Sequence, residues 1–132
     1  MIVGVGTDIE SIYRFKKLWT SKPSILSKLF YKSELDYASK KEKPWETLAG
    51  IWCAKESVVK SLSSVHSLKV KEVEIGKPSS EKFQVRISIP ELAEKGIVFW
   101  ISISHSKEYA TAFCVAEVLM KENVLCNHLL SS

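Results

Sequence analysis

Several large protein classes are excluded by what this 132-residue chain lacks. Its three cysteines, Cys53, Cys114 and Cys126, are odd in number and form no Cys-x-x-Cys pair. Neither a disulfide framework nor a structural zinc site is indicated, and a reducing compartment, the cytoplasm, is the default expectation. Cys126 and His128 are the only close cysteine–histidine pair, and two ligands do not make a metal site. The five glycines include no Walker-type phosphate loop and no complete dinucleotide fingerprint. Gly4-Val5-Gly6 begins such a fingerprint, but Ile9 stands where its third glycine belongs. No apolar run is long enough to span a membrane, and the opening MIVGVGTDIE lacks the basic start of a signal peptide. The charge excess of +4 is modest and dispersed, which suits an anionic small molecule or an acidic protein and does not argue for nucleic acid.

What is present fits one ordinary globular domain, at 45% hydrophobic, 10% aromatic and 26% charged residues. Ile2 to Val5 reads as a short strand whose end Gly4 and Gly6 turn tightly. Asp8 follows, either as the cap of a helix carrying Ile12, Phe15, Leu18 and Trp19 on one face, or as a carboxylate presented at a strand end. Ile25 to Phe30 is a short helix, and Ser33-Glu34-Leu35-Asp36 starts another with a capping box. Lys40 to Lys43 form a basic patch. Ser61 to Ser67 is a polar loop. The second half changes to period two: Val73 and Ile75, then Phe83 to Ile89, then Ile97 to Ile103 and Ala110 to Val118. Pro90 to Lys95 is a short helix closed by Gly96, and Ser104 to Glu108 is a polar turn. Helices first and antiparallel strands second indicate an α+β fold, one domain over residues 1–120 with a tail at 121–132.

The stretch Leu48 to Leu62 is central, with Pro44 placed for its first helical turn. Leu48, Ile51, Trp52, Val58, Val59 and Leu62 form one apolar stripe. Lys55 falls near the middle of that stripe, and Glu56 at its edge with Lys60 one turn on. Either Lys55 snorkels and Glu56–Lys60 is a surface pair, or the helix holds one carboxylate and two ammonium groups at the rim of a polyanion site. Two distant carboxylates, Asp8 and Glu56, match what a magnesium ion takes together with water and phosphate oxygens. Lysines neutralise phosphate charge, and His105 is suited to donate to a phosphate or carry a proton. Ser104 lacks the Gly-x-Ser-x-Gly elbow of a serine hydrolase.

These pieces lie in the order of a known family. Gly4-Val5-Gly6-Thr7-Asp8-Ile9-Glu10 with Arg14, Phe30 to Leu35, Leu48-Ala49-Gly50 leading into Trp52-Cys53-Ala54-Lys55-Glu56-Ser57 and Lys60, Val73-Glu74-Ile75, and Ile103 to Ala110 together resemble the holo-acyl-carrier-protein synthases, small phosphopantetheinyl transferases. The resemblance implies Mg²⁺-dependent transfer of the 4′-phosphopantetheine arm from coenzyme A to a serine of apo acyl carrier protein, releasing adenosine 3′,5′-bisphosphate, in fatty acid biosynthesis. It implies that Asp8 and Glu56 hold Mg²⁺, that Lys60, assisted by Lys55, binds phosphate, and that Ser104 and His105 contact the coenzyme A phosphates. Glu56, or a metal-bound water it orients, would take the serine proton, and Arg14 would dock an acidic helix of the carrier protein. The family is typically a homotrimer with sites at subunit interfaces. The chain departs from the family at Ile51, where relatives carry a basic residue, in the glycine-free loop Ser63 to Ser67, and at Gly76-Lys77-Pro78, which follows its strand at once.

Two other readings fit the same residues. A non-catalytic basic module would bind an acidic protein or nucleic acid through Lys40 to Lys43 and Arg14. Another Mg²⁺-dependent phosphotransfer or phosphate-ester hydrolysis would use Asp8, Glu10 and Glu56.

Overall fold

The computed structural model describes residues 1–76 and 83–119. The expected tail at 121–132, the Cys126–His128 pair and Lys77-Pro78 lie outside the described residues. In chain order the elements are β1 (Ile2–Ser11), α1 (Ile12–Ser21), α2 (Pro23–Leu29), α3 (Lys32–Ser39), α4 (Pro44–Leu62), β2 (Val73–Gly76), β3 (Gln84–Ile87), α5 (Pro90–Ala93), β4 (Ile97–His105) and β5 (Tyr109–Val118). Strands β1, β5 and β4 form an antiparallel sheet in that order, and β2 pairs with β3. The α+β reading holds.

The fold is arranged around α4, which starts at Pro44 and carries Glu46 in its first turn and Lys60 in its last, each suited to the helix dipole. The apolar stripe accounts for only one side of it. The opposite side, with Gly50, Cys53, Ser57 and Ser61, is buried too, against the sheet. There small residues meet small residues: Ala110, Ala112, Cys114 and Ala116 of β5 are buried, and β1 contributes Gly4 and Gly6. A Cβ on Gly4 would sit 1.9 Å from the Ser61 carbonyl oxygen, and one on Gly6 2.0 Å from that of Ser57. These glycines therefore do not turn the strand end, as their spacing predicts; they lie inside β1 and let the backbone of α4 approach it. On the far side, Phe15, Phe30 and Trp52 pack with ring centroids 6.0, 6.4 and 5.9 Å apart, tying α1 and α2 to α4.

Two strands run longer than their hydrophobic pattern. β1 continues to Ser11 because β5 offers backbone partners as far as Tyr109. Asp8 is thus a strand residue and not a helix cap; Ser11 holds the cap position of α1 and makes no side-chain capping bond. β4 continues through Ser104 and His105, which reduces the polar turn to Ser106-Lys107-Glu108. Helix α3 begins at Lys32, not at Ser33, and Glu34 returns to accept the Tyr31 N–H at 2.7 Å. Helix α5 ends before Gly96, whose φ of 64° is the left-handed turn expected of it.

Candidate active site

Alternation along β1 puts Gly6, Asp8 and Glu10 on the face turned toward α4, level with Cys114, Ala112 and Ala110 of β5. Because Gly6 has no side chain, Lys60 lies against the strand. Its Nζ donates to the Thr7 carbonyl oxygen at 2.9 Å and to Asp8 Oδ1 at 3.4 Å, while its side chain stays 52% exposed. The other oxygen, Asp8 Oδ2, is buried and has no hydrogen-bond partner among the described residues, a costly state for a carboxylate oxygen.

Glu56 lies one turn before Lys60. Burial, and next the negative charge of Asp8, push its carboxyl above the usual range, while Lys60 pulls it back. Glu10 adds to the upward push and Arg14 opposes it. Asp8, Glu10, Glu56, Lys60 and Arg14 therefore share one electrostatic neighbourhood. Among the described residues, no three or more histidine, cysteine, aspartate or glutamate side chains are grouped to hold a metal ion by themselves. Asp8 and Glu56 nevertheless fit a hard cation that takes one or two carboxylates and completes its shell with water and substrate oxygens, and the unpartnered Oδ2 is the atom such an ion would satisfy.

Lys55 does not stand at this rim. It does not snorkel: its side chain is fully buried, with Nζ 2.6 Å from Glu34 Oε1, a side chain equally buried. Nζ also donates to the Leu29 carbonyl oxygen at 3.3 Å and lies over the rings of Phe30 and Tyr31. Glu34 Oε2 accepts the Ile75 N–H at 2.8 Å. Burial drives the Glu34 carboxyl up and the Lys55 ammonium down, each opposed by its partner. The middle of the stripe holds a charge because α3 supplies the counter-charge, a pairing 21 residues away that a helical wheel cannot show. Ile51, the other departure on this helix, is 2% exposed and packs in the core.

Ser104 and His105 are successive strand residues and so project to opposite faces. His105 is level with Ala110, in one row with Glu10 on the α4 side; Ser104 is level with Thr111 on the outer face, turned away from Asp8 and Glu56. Both are exposed. One chain therefore brings together Asp8, Glu56 and Lys60 and leaves Ser104 outside. Arg14 sits beside the cluster, its Nη1 3.2 Å from each Glu10 carboxylate oxygen.

One site neighbour escaped the sequence reading. Cys53 presents its thiol between Asp8 and the Ala110 carbonyl oxygen, to which Sγ donates at 3.4 Å; burial first, and then the Asp8 charge, push that thiol up to about 12. Glu10, expected as a carboxylate of the alternative phosphotransfer reading, stands on the inner face because β1 runs through Ser11.

Comparison with known proteins identifies the family. Residues 4–114 match the family model described as the 4′-phosphopantetheinyl transferase superfamily. A holo-[acyl-carrier-protein] synthase of Clostridium novyi is 38% identical over 133 residues, covering 96% of this chain and 94% of the relative. Among solved structures, the holo-[acyl-carrier-protein] synthase from Neisseria meningitidis superposes with a TM-score of 0.74 at 26% identity, over 89% of this chain and 99% of that one. The Bacillus anthracis synthase, solved in complex with CoA (3′,5′-ADP), gives 0.70 at 26% identity, over 90% and 99%. With its fold shared from end to end of those chains and its sequence matched over the strand and helix that carry Asp8, Glu56 and Lys60, the chain belongs to the 4′-phosphopantetheinyl transferase superfamily, among the holo-[acyl-carrier-protein] synthases, and is an enzyme of that kind.

Proposed function

We propose that the chain moves the 4′-phosphopantetheine arm of coenzyme A onto a serine hydroxyl of apo acyl carrier protein, with Mg²⁺, in support of fatty acid biosynthesis. The observation that carries the reading is the buried, unpartnered Oδ2 of Asp8 beside Lys60 and the half-buried Glu56. Asp8 and Glu56 would hold the ion. Bound there, Mg²⁺ supplies charge neutralisation and polarisation of the pyrophosphate. Lys60 is half-exposed and can reach a phosphate oxygen without losing a buried partner, so it stabilises the charge that develops as the pyrophosphate breaks. Glu56, its carboxyl held above the ordinary range by burial, accepts the serine proton. The serine oxygen then bonds to the phosphorus bearing the pantetheine arm, and the bond from that phosphorus to adenosine 3′,5′-bisphosphate breaks. Lys55, sealed against Glu34, has no part in this step.

The assembly is a homotrimer on this reading. The outer face of the sheet exposes Val5, Ile9, Trp100 and Phe113 beside a cavity of about 850 Å³, and further copies of the chain would cover it. Ser104 lies on that face and would serve a site in a neighbouring copy, with His105 at the adjoining strand end. Sedimentation equilibrium at the mass of one chain would refute the trimer. Cytoplasmic residence is consistent with the unpaired thiols of Cys53 and Cys114. No helix among the described residues is long and apolar enough to cross a membrane.

The test is mass spectrometry of apo acyl carrier protein incubated with the enzyme, coenzyme A and Mg²⁺. One phosphopantetheine-sized increment on the carrier serine, abolished by EDTA, is expected. No increment with folded enzyme and several carriers would return the chain to the binding-module reading.

A further inference from the structure

We propose that Glu10 is a positioning residue that holds Arg14 in the orientation in which it receives an acidic group of the carrier protein. The inference rests on the carrier-docking reading of Arg14. Glu10 ends the inner face of β1, two residues beyond Asp8, and Arg14 lies in the first turn of α1, so their contact spans the junction between strand and helix. That junction is firm on its other side, where the Ile12 N–H donates to the Glu108 carbonyl oxygen at 2.9 Å. Both Glu10 oxygens are 3.2 Å from the same nitrogen, Arg14 Nη1. The guanidinium carbon also lies 5.5 Å from the centroid of the Phe15 ring. A guanidinium carries five N–H donors in a rigid plane; the Nη1 contact and the Phe15 ring together restrict its swing and leave the Nη2 and Nε donors for an incoming carboxylate.

The surroundings give that free edge a direction. Arg14 lines a groove of about 370 Å³ along α1 with Tyr13, Lys17, Leu18 and Lys22. Arg14, Lys17 and Lys22 make the groove cationic beside Tyr13 and Leu18, and Glu10, two residues beyond Asp8 on β1, meets it at Arg14. An acidic helix laid along the groove meets Lys17 and Lys22 first and the Glu10-held Arg14 last, at the point where its serine has to enter. Glu10 thereby sets where the carrier stops.

Steady-state transfer measured with apo carrier protein and coenzyme A tests this in Glu10→Gln, Arg14→Ala and the double variant. Glu10→Gln keeps the size of the side chain and removes its charge. It is expected to raise the KM for carrier about three- to five-fold, the scale of an exposed ion pair, with a smaller change in kcat and the KM for coenzyme A unmoved. In the Arg14→Ala background the same change is expected to add nothing. A carrier KM that is unchanged or lowered by Glu10→Gln, an equal factor in both backgrounds, or a shift in the coenzyme A KM would overturn the proposal. Failure of the functional reading is a separate outcome, since it would show as no transfer by the unsubstituted enzyme.

Discussion

Two ion pairs on one helix show how the same chemistry serves architecture in one place and reaction in another. Lys55 and Lys60 are five residues apart on α4, and each faces a carboxylate. The Lys55–Glu34 pair is closed: 2.6 Å apart, wholly buried, with the remaining glutamate valences taken by the Tyr31 and Ile75 N–H groups. The Lys60–Asp8 pair is open: 3.4 Å apart, half-exposed at the lysine, with one aspartate oxygen buried and left over. A saturated pair has nothing to offer a ligand. An unsaturated one is held in readiness for a further cation or phosphate, and the strain of leaving it incomplete marks the site.

The largest expected effect breaks the comparison at its carboxylates. Asp8→Ala or Glu56→Ala is expected to cut phosphopantetheine transfer by at least about 10³-fold with little loss of stability, since Asp8 is incompletely bonded in the folded chain. Glu34→Ala is expected to do the reverse, and first to lower the urea midpoint. Circular dichroism melts run beside the mass-spectrometric assay separate the two, and a Glu56→Ala enzyme with normal turnover would end the metal assignment. Next come the lysines. Lys55→Ala leaves the Glu34 charge buried without its partner and is expected to cost about 3–5 kcal/mol by urea unfolding. Lys60→Ala removes a half-exposed pair and is expected to cost less than about 1 kcal/mol while lowering kcat sharply. Joining Lys55→Met to Glu34→Leu tests whether the pair contributes placement or stability, because a matched apolar replacement is expected to restore most of the lost midpoint.

The members of the open pair were singled out in the sequence, though not their contact, and the closed pair was not seen at all, for reasons that lie in the range of each signal. Hydrophobic period found α4, the succession of strands and the α+β class, all of which depend on near neighbours. The spacing of Asp8, Glu56 and Lys60 acquired meaning through the resemblance, which carries long-range information that periodicity lacks. Lys55 looked like a site residue because an unexplained charge on an apolar stripe has two solutions, a ligand or a partner from elsewhere in the fold, and Glu34 was out of view on another helix. The glycines were misread for a similar cause. A turn and a close approach both call for a missing side chain, and only the position of α4 decides between them. Ser104 and His105 could not be placed until β4 was seen to include both, which sends one to each face.

The finest contrast comes from making one conservative change in both places. Arginine keeps the charge and enlarges the head group. At position 60 the side chain runs to solvent and the carbonyl of Thr7 and the carboxylate of Asp8 are approached from an open side, so Lys60→Arg is expected to alter stability by no more than about 0.5 kcal/mol and to retain measurable transfer. At position 55 the ammonium is enclosed by the Glu34 carboxylate, the Leu29 carbonyl and the rings of Phe30 and Tyr31, a space filled by a compact charge. A planar guanidinium there has to displace packed groups, at a cost of about 1–3 kcal/mol. Equal tolerance of arginine at both positions, by urea midpoint, would mean that the cage around Lys55 yields, and that the closed pair is held by charge alone and not by the fit of its surroundings.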